Sequence, residues 1–218
     1  MKLSINNFNE SINIPKIKFI YENIKKIKNP NIIEFGVRKG VSTSMFLYVC
    51  NKNKGKLLSV DIVNYEKLYT DKNWTFLESR DDNFSFIKNK INKKLDVIYI
   101  DSYHEPNHIK KILFYYYKFL KKEGLIFIDD ISWLPYVKKS YRDNEFNEII
   151  NRNTFNKIIE IYSKNIENIN LEFSFSGSGT AKIQKLNNKI LNEPYKIINR
   201  IYSFKNILKI LYRPKPVN

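Results

Sequence analysis

The chain has 218 residues and a mass of 26.1 kDa, enough for one sizeable domain, or for a core domain with an appendage. A hydrophobic share of 43% with 15 Tyr and 15 Phe excludes intrinsic disorder, collagen-like sequence and coiled coil. The formal net charge of +16 raises a polyanion or an anionic membrane as partner, but the charge is unevenly spread.

Residues 31–181 hold 23 Lys and Arg against 19 Asp and Glu, whereas residues 182–218 hold nine against one. The body is therefore close to electrically ordinary, and a whole-surface nucleic-acid binder is not described by it. Lys, Asn and Ile supply 94 of the 218 residues beside a single Ala, a bias typical of AT-rich coding, which accounts for part of the basicity. Cys50 stands alone, so no intramolecular disulfide forms and a reducing compartment is expected. No continuous apolar stretch marks a signal peptide or a membrane span, so a soluble cytoplasmic protein is expected, with a peripheral membrane contact left open.

In chain order, residues 15–28 place Ile17, Ile20, Ile24 and Ile27 at helical spacing behind Pro15. Asn31 to Phe35 reads as a short buried strand broken at Gly36. Ser42 to Asn51 reads as a helix with Ser42 or Thr43 available as its cap. Lys56–Asp61 and Trp74–Leu77 are the second and third strands, and a short helix lies between Phe84 and Ile91. Leu95–Asp101 is apolar on both alternations up to its final acid, as a central strand must be. Pro106 opens a helix whose stripe of Ile109, Ile112, Leu113, Tyr116, Phe119 and Leu120 runs to Gly124. Leu125–Ile128 is a fifth strand ending in Asp129 and Asp130. A long helix over 143–163 then leads to strands 170–175 and 180–184 around Gly177-Ser178-Gly179, an antiparallel hairpin.

Alternating strands and helices predict an α/β fold: a doubly wound, mostly parallel seven-stranded sheet with an antiparallel C-terminal hairpin. The domain is expected to span residues 1–185, followed by a basic amphipathic helical tail over 186–218. In that tail Ile197, Ile198, Ile201, Phe204, Ile207, Leu208 and Leu211 recur at helical spacing between basic residues. Such a helix packs on its own domain or a second copy, lies on an anionic membrane, or contacts nucleic acid, the last being the poorest fit.

Ligands bind at the carboxyl ends of strands in open parallel sheets. Glu34, Asp61, Asp101, Asp129 and Asp130 all fall there. The first turn reads E-x-G-x-x-x-G-x-S over Glu34, Gly36, Gly40 and Ser42, with Arg38 where dinucleotide binders carry the middle glycine that clears space for a pyrophosphate. That disfavours a nicotinamide-dependent oxidoreductase and suits a ligand without a pyrophosphate. Glu34 suits an ammonium or sulfonium, and Asp61, 25 residues after Gly36, can accept both hydroxyls of a ribose.

The segments IIEFGVRKGVS, LLSVD, LESRDD, DVIYIDSYH and GLIFIDD, in that order over roughly residues 15–185, resemble the class I S-adenosylmethionine-dependent methyltransferases. The resemblance implies that Glu34, Gly36, Gly40 and Ser42 border the methionine end of S-adenosylmethionine, that Asp61 holds the ribose, and that Ser79 with Asp81 or Arg80 lies by the adenine. The ends of strands four and five look most like the metal-assisted O-methyltransferases of the catechol type and their bacterial sugar and natural-product relatives. That implies a divalent cation, Mg²⁺ or else Ca²⁺ or Mn²⁺, at Asp101, Asp129 and Asp130, binding vicinal hydroxyls and lowering the pKa of one. Where catechol enzymes have a lysine this chain has His104, a candidate base, which favours a sugar or polyhydroxylated acceptor over a catechol. His108 could instead join Asp101 in a transition-metal site. Trp133 and Tyr136 are candidate stacking surfaces for the acceptor. Two other readings are a non-enzymatic adaptor whose tail does the work and an RNA methyltransferase; against the latter, Asp101-Ser102-Tyr103-His104 replaces the N-x-P-P-[YF] type motif of base methylation.

Overall fold

A computed structural model describes residues 5–135, 145–197 and 204–212. Its elements are α1 (Ile5–Ile12), α2 (Pro15–Ile24), β1 (Asn31–Phe35), α3 (Val41–Asn53), β2 (Lys56–Asp61), β3 (Trp74–Glu78), α4 (Phe84–Lys88), β4 (Leu95–Ile100), α5 (Pro106–Tyr117), β5 (Leu120–Asp129), α6 (Glu145–Lys164), β6 (Ile169–Ser174), β7 (Thr180–Lys185) and α7 (Phe204–Leu211). The seven strands form one sheet in the order β3-β2-β1-β4-β5-β7-β6. The first five are parallel, and β7 pairs antiparallel with both β5 and β6. This is the predicted doubly wound sheet with its terminal hairpin.

The strands read as apolar runs because both faces are covered. Ile33, Phe35, Ile98, Ile100, Ile126 and Ile128 face one core with α5 and α6. Ile32, Val97, Tyr99 and Phe127 face the other with α1, α2 and α3, where Ile17, Ile20 and Ile24 supply the α2 stripe. Cys50 is buried there, as a small apolar filler, and burial pushes its thiol up to about 12, which leaves it chemically inert.

Two helix ends and one additional helix differ from the sequence reading. The helix begun at Pro15 stops at Ile24, because the Asn53 side-chain amide at the end of α3 donates to the carbonyls of Lys25 and Ile27 at 2.9 Å each. The stripe that seemed to run to Gly124 breaks at Tyr117, because Leu95 needs a neighbour at the mouth of β4: its amide donates to the Phe119 carbonyl at 2.9 Å and Leu120 becomes the first residue of β5. The helix α1 was not foreseen, and it packs mainly on α3.

The expected boundary at residue 185 cuts through contacts. Leu191 is buried in the core, the Asn192 amide donates to Asn165 Oδ1 at 2.7 Å, and the Ile197 amide donates to Glu160 Oε1 at 3.3 Å. Residues 186–197 thus run along α6 as part of the body. Among the described residues no helix is long and apolar enough to cross a membrane.

Candidate active site

The chain leaves β1 toward β2 on one side and crosses back to β4 on the other, so a crevice must open between the carboxyl ends of β1 and β4. It is tight at its floor. Gly36 has φ +94°, and a β-carbon there would overlap the Asp101 carbonyl. Only glycine lets the turn after β1 come this close to the end of β4. Beside it lies a cleft of about 520 Å³ lined by Gly36, Asp61, Ser79, Arg80, Asp81, Asp101, Ser102 and His108 among others.

Of the residues singled out in the sequence, Gly36, Asp61, Ser79, Arg80, Asp81, Asp101 and His108 line this cleft. Glu34, Ser42 and Gly40 do not. Glu34 is fully buried behind the turn, where it accepts hydrogen bonds from Ser42 Oγ at 2.6 Å, Thr43 Oγ1 at 2.8 Å and Ser59 Oγ at 2.6 Å. Those hydroxyls are therefore not the helix cap expected of them: the N-cap of α3 is Gly40, in the left-handed region at φ +72°. Gly40 instead abuts Leu68 and Tyr69 at a separate, smaller cavity. A carboxylate so enclosed cannot face a cofactor directly; it ties β1, β2 and α3 together and braces the turn from behind.

Burial raises the Glu34 pKa to about 7 against the pull of its three hydroxyl donors. A folded-state pKa above the unfolded value of about 4.5 means that this group's stabilisation is complete below pH 4.5 and is lost as the pH climbs through 7. Glu34→Gln is expected to abolish that slope, amounting to about 3 kcal/mol across the window, when denaturant unfolding is followed between pH 4.5 and 8. An unchanged slope would place the titration elsewhere.

Asp61 does double service. Its Oδ2 accepts from the Val37 amide at 2.7 Å and the Arg38 amide at 3.3 Å, and Oδ1 accepts from Val63 at 2.9 Å. It therefore shapes the turn that holds Arg38 at φ +48° while still lining the cleft. At the other end, Asp81 accepts from Ser102 Oγ and stands 2.9 Å from His108 Nε2. His108 is thus committed to Asp81, and the transition-metal reading that joined it to Asp101 does not fit this arrangement. Ser102 had no signal in the sequence as part of the site, and His108 had none as a partner of Asp81, which lies 21 and 27 residues from them.

The acids of β4 and β5 form the second half. His104 Nε2 lies 3.3 Å from Asp101 Oδ1 and 3.5 Å from Asp130 Oδ2. Among the described residues these three are the group whose ligand atoms come close enough, all within 4.8 Å, to hold a metal ion. Asp130 is in the left-handed region at φ +55°, a conformation unfavourable for a residue with a side chain and often found at functional sites. Asp129, which the resemblance counts as a ligand, is placed differently. It is fully buried, paired with the Lys16 ammonium, and also accepts from Tyr99 OH at 3.1 Å and Thr180 Oγ1 at 3.3 Å. The cluster brought together is thus Asp101, His104 and Asp130, with Asp129 one layer behind. Lys16, 113 residues from Asp129, could not be connected to it by any sequence spacing.

The charges explain the titration. Burial, with the Asp129 charge, raises Asp101 to about 6, and the same two causes raise Asp130. Burial opposes a charged imidazole at His104, but the hydrogen bond to Asp101 and the charges of Asp130, Asp101 and Asp129 outweigh it and raise its pKa. His104 Nδ1 is buried without a hydrogen-bond partner among the described residues.

On the far side of this cluster lies a larger groove of about 990 Å³ whose lining includes His104, Asp130, Ile197 and the residues Asn107, Asn153 and Asn156. It shares Ser102 and Tyr103 with the first cleft. Trp133 does not line it: its ring packs on Phe155, centroids 6.0 Å apart, with the Arg152 guanidinium 4.9 Å above. Tyr136 lies outside the described residues.

This sheet order, with its crevice between β1 and β4 and its reversed last strand, is that of the class I S-adenosylmethionine-dependent methyltransferases. Residues 33–131 match the family described as a methyltransferase domain. Solved structures agree. One described as a caffeoyl-CoA O-methyltransferase from Staphylococcus aureus has TM-score 0.60 at 17% identity over 83% of this chain and 90% of that one. The MycE methyltransferase of mycinamycin biosynthesis, solved with Mg and S-adenosylhomocysteine, has TM-score 0.59 at 15% identity over 81% of this chain and 51% of its own length. CalS11, a TDP-rhamnose 3'-O-methyltransferase of calicheamicin biosynthesis, has TM-score 0.56 at 11% identity over 81% and 80%. At these identities the likeness establishes the fold. No curated protein is similar enough in sequence to count as a match.

Proposed function

We propose that the protein transfers the methyl group of S-adenosylmethionine to a hydroxyl of a saccharide or small polyhydroxylated metabolite. The observation that carries this reading is the pair of cavities sharing Ser102 and Tyr103, with the Asp101–His104–Asp130 cluster where they meet. A cofactor in the first would face an acceptor in the second across the residues that can handle a proton. Amide side chains along the second groove suit an acceptor rich in hydroxyls, and the likeness to CalS11 supports the sugar branch.

In the first cleft, the glycine at 36 brings the turn close to the cofactor, and Asp61 keeps one lone pair, on Oδ1, for a ribose hydroxyl beyond its three backbone bonds. Ser79 and Asp81 border the adenine end, with His108 and Ser102 fixing the Asp81 carboxylate. The cofactor supplies an electrophilic methyl carbon on sulfonium, which an acceptor oxygen attacks in line as the thioether leaves. The acceptor's proton passes to His104 Nε2.

Carboxylate oxygens suit a hard divalent cation, and Asp101 and Asp130 are the residues that would hold Mg²⁺ or Mn²⁺ against the acceptor hydroxyl. An imidazole that ligates a cation cannot also take a proton, and we give His104 the proton. A cation between the carboxylates also offsets the negative charge that keeps His104 protonated. Turnover is therefore expected to rise with pH through a midpoint above 6.5, the ordinary histidine value, and the midpoint is expected to fall when Mn²⁺ is added. A pH–rate profile that Mn²⁺ leaves in place would remove the cation from the mechanism.

Calorimetry with S-adenosylhomocysteine tests the cofactor half directly: no heat at high micromolar concentration defeats the reading. Lys16→Met probes the acid layer. It leaves Asp129 buried with hydroxyl donors alone, which is expected to destabilise the fold by about 3 kcal/mol. Mn²⁺ is expected to raise the melting temperature of the variant more than that of the wild type, since a cation can then take the place of the lost ammonium. Equal shifts would show that Asp129 stays out of reach of the metal.

A further inference from the structure

The helix α7 turns an apolar face outward. Phe204 is 76% exposed and Leu211 73%, and Ile207, Leu208 and Tyr212 are exposed between them. At 100° per residue these five fall on one side of the helix, with the exposed Lys205 and Lys209 along its border. The charge around it has one sign: residues 194–218 contain six Lys and Arg and no Asp or Glu.

We propose that α7 seats the protein on an anionic lipid surface. The partner must satisfy two demands at once, an apolar phase for Phe204, Ile207, Leu208 and Leu211, and negative charge for the lysines. A bilayer with acidic headgroups offers both within the depth of one helix lying in the interface. A second copy of the chain meets the first demand but brings its own +16 to the contact. Nucleic acid meets the second and leaves the apolar face in water.

The position of α7 gives the contact a consequence. Ile197 lines the larger groove and precedes Phe204 by seven residues, a span of at most about 25 Å. Docking through α7 therefore holds the acceptor groove near the lipid surface. The proposal stands independently of the reaction assigned above.

Co-sedimentation of the full chain with phosphatidylcholine vesicles, with and without phosphatidylglycerol, tests it. The wild type is expected to pellet with the mixed vesicles and to stay in solution with phosphatidylcholine alone. Phe204→Ser/Leu211→Ser and Lys205→Glu/Lys209→Glu are each expected to weaken partitioning about tenfold or more, with S-adenosylhomocysteine binding and melting temperature unchanged. Failure of the wild type to bind mixed vesicles, equal binding to both kinds, or variants that bind as the wild type does would each overturn the proposal. So would a wild-type dimer in light scattering that Phe204→Ser/Leu211→Ser converts to monomer without any vesicle binding, or transfer RNA binding lost in the same variants.

Discussion

His104→Ala is expected to lower the rate of methyl transfer by about 10²- to 10⁴-fold while leaving affinity for S-adenosylhomocysteine unchanged. The size follows from the role. In the proposed reaction the imidazole is the neutralisable base at the join of the two cavities, 3.3 Å from Asp101 and 3.5 Å from Asp130, and its loss would leave only carboxylates to take the acceptor's proton. The sparing of cofactor affinity follows from placement, since His104 lines the acceptor groove and not the first cleft. The fold is expected to survive, because the bond tying this loop to α6 runs from Thr154 Oγ1 to the backbone carbonyl of His104 at 3.2 Å. Single-turnover rates across pH separate a base from a packing residue: the base variant loses the rising limb altogether, whereas a packing defect lowers the whole profile. A full rate at high pH in His104→Ala would give the proton to another group.

Gly36→Ala is expected to abolish cofactor binding and to destabilise the fold by about 3 kcal/mol or more, at the severe end for a single substitution. Two independent costs act at one atom. The residue sits at φ +94°, which a side chain disfavours, and its β-carbon would collide with the Asp101 carbonyl. Relief requires the turn to lift from β4. That movement breaks the bond from the Asp101 amide to the Phe35 carbonyl at 2.8 Å and displaces the amides of Val37 and Arg38 from Asp61. Denaturant unfolding and calorimetry with S-adenosylhomocysteine read the two effects separately. Gly177→Ala is a control: this glycine also has positive φ, but no atom stands near its missing β-carbon, and only the smaller conformational cost is expected.

The order of elements was legible because the signals that make them are local. Apolar runs ending in acids mark strands covered on both faces, and Ile33, Ile98 and Ile126 do lie in one core while Ile32, Val97 and Phe127 lie in the other. Helix ends were less legible because distant groups set them: the Asn53 amide ends α2, and the needs of Leu95 convert Leu120 from helix to strand. The same division runs through the site. Gly36, Asp61 and Asp101 could be placed at the crevice because each ends a strand, and strand ends converge in a parallel sheet.

What the sequence determined by itself is the fold, the crevice and the types of side chain offered there, because periodicity and strand-end chemistry are properties of neighbours along the chain. The roles those side chains take were decided by the tertiary structure. Glu34, Asp101, Asp129 and Asp130 are equivalent as letters, each an acid where a strand ends. Three-dimensional packing separates them by partner and by solvent: hydroxyls enclose Glu34, the ammonium of Lys16 claims Asp129 across 113 residues, and Asp101 and Asp130 are left facing His104. A carboxylate's charge state and reach depend on the atoms within a few ångströms of it, and those atoms come from elements far apart in the chain.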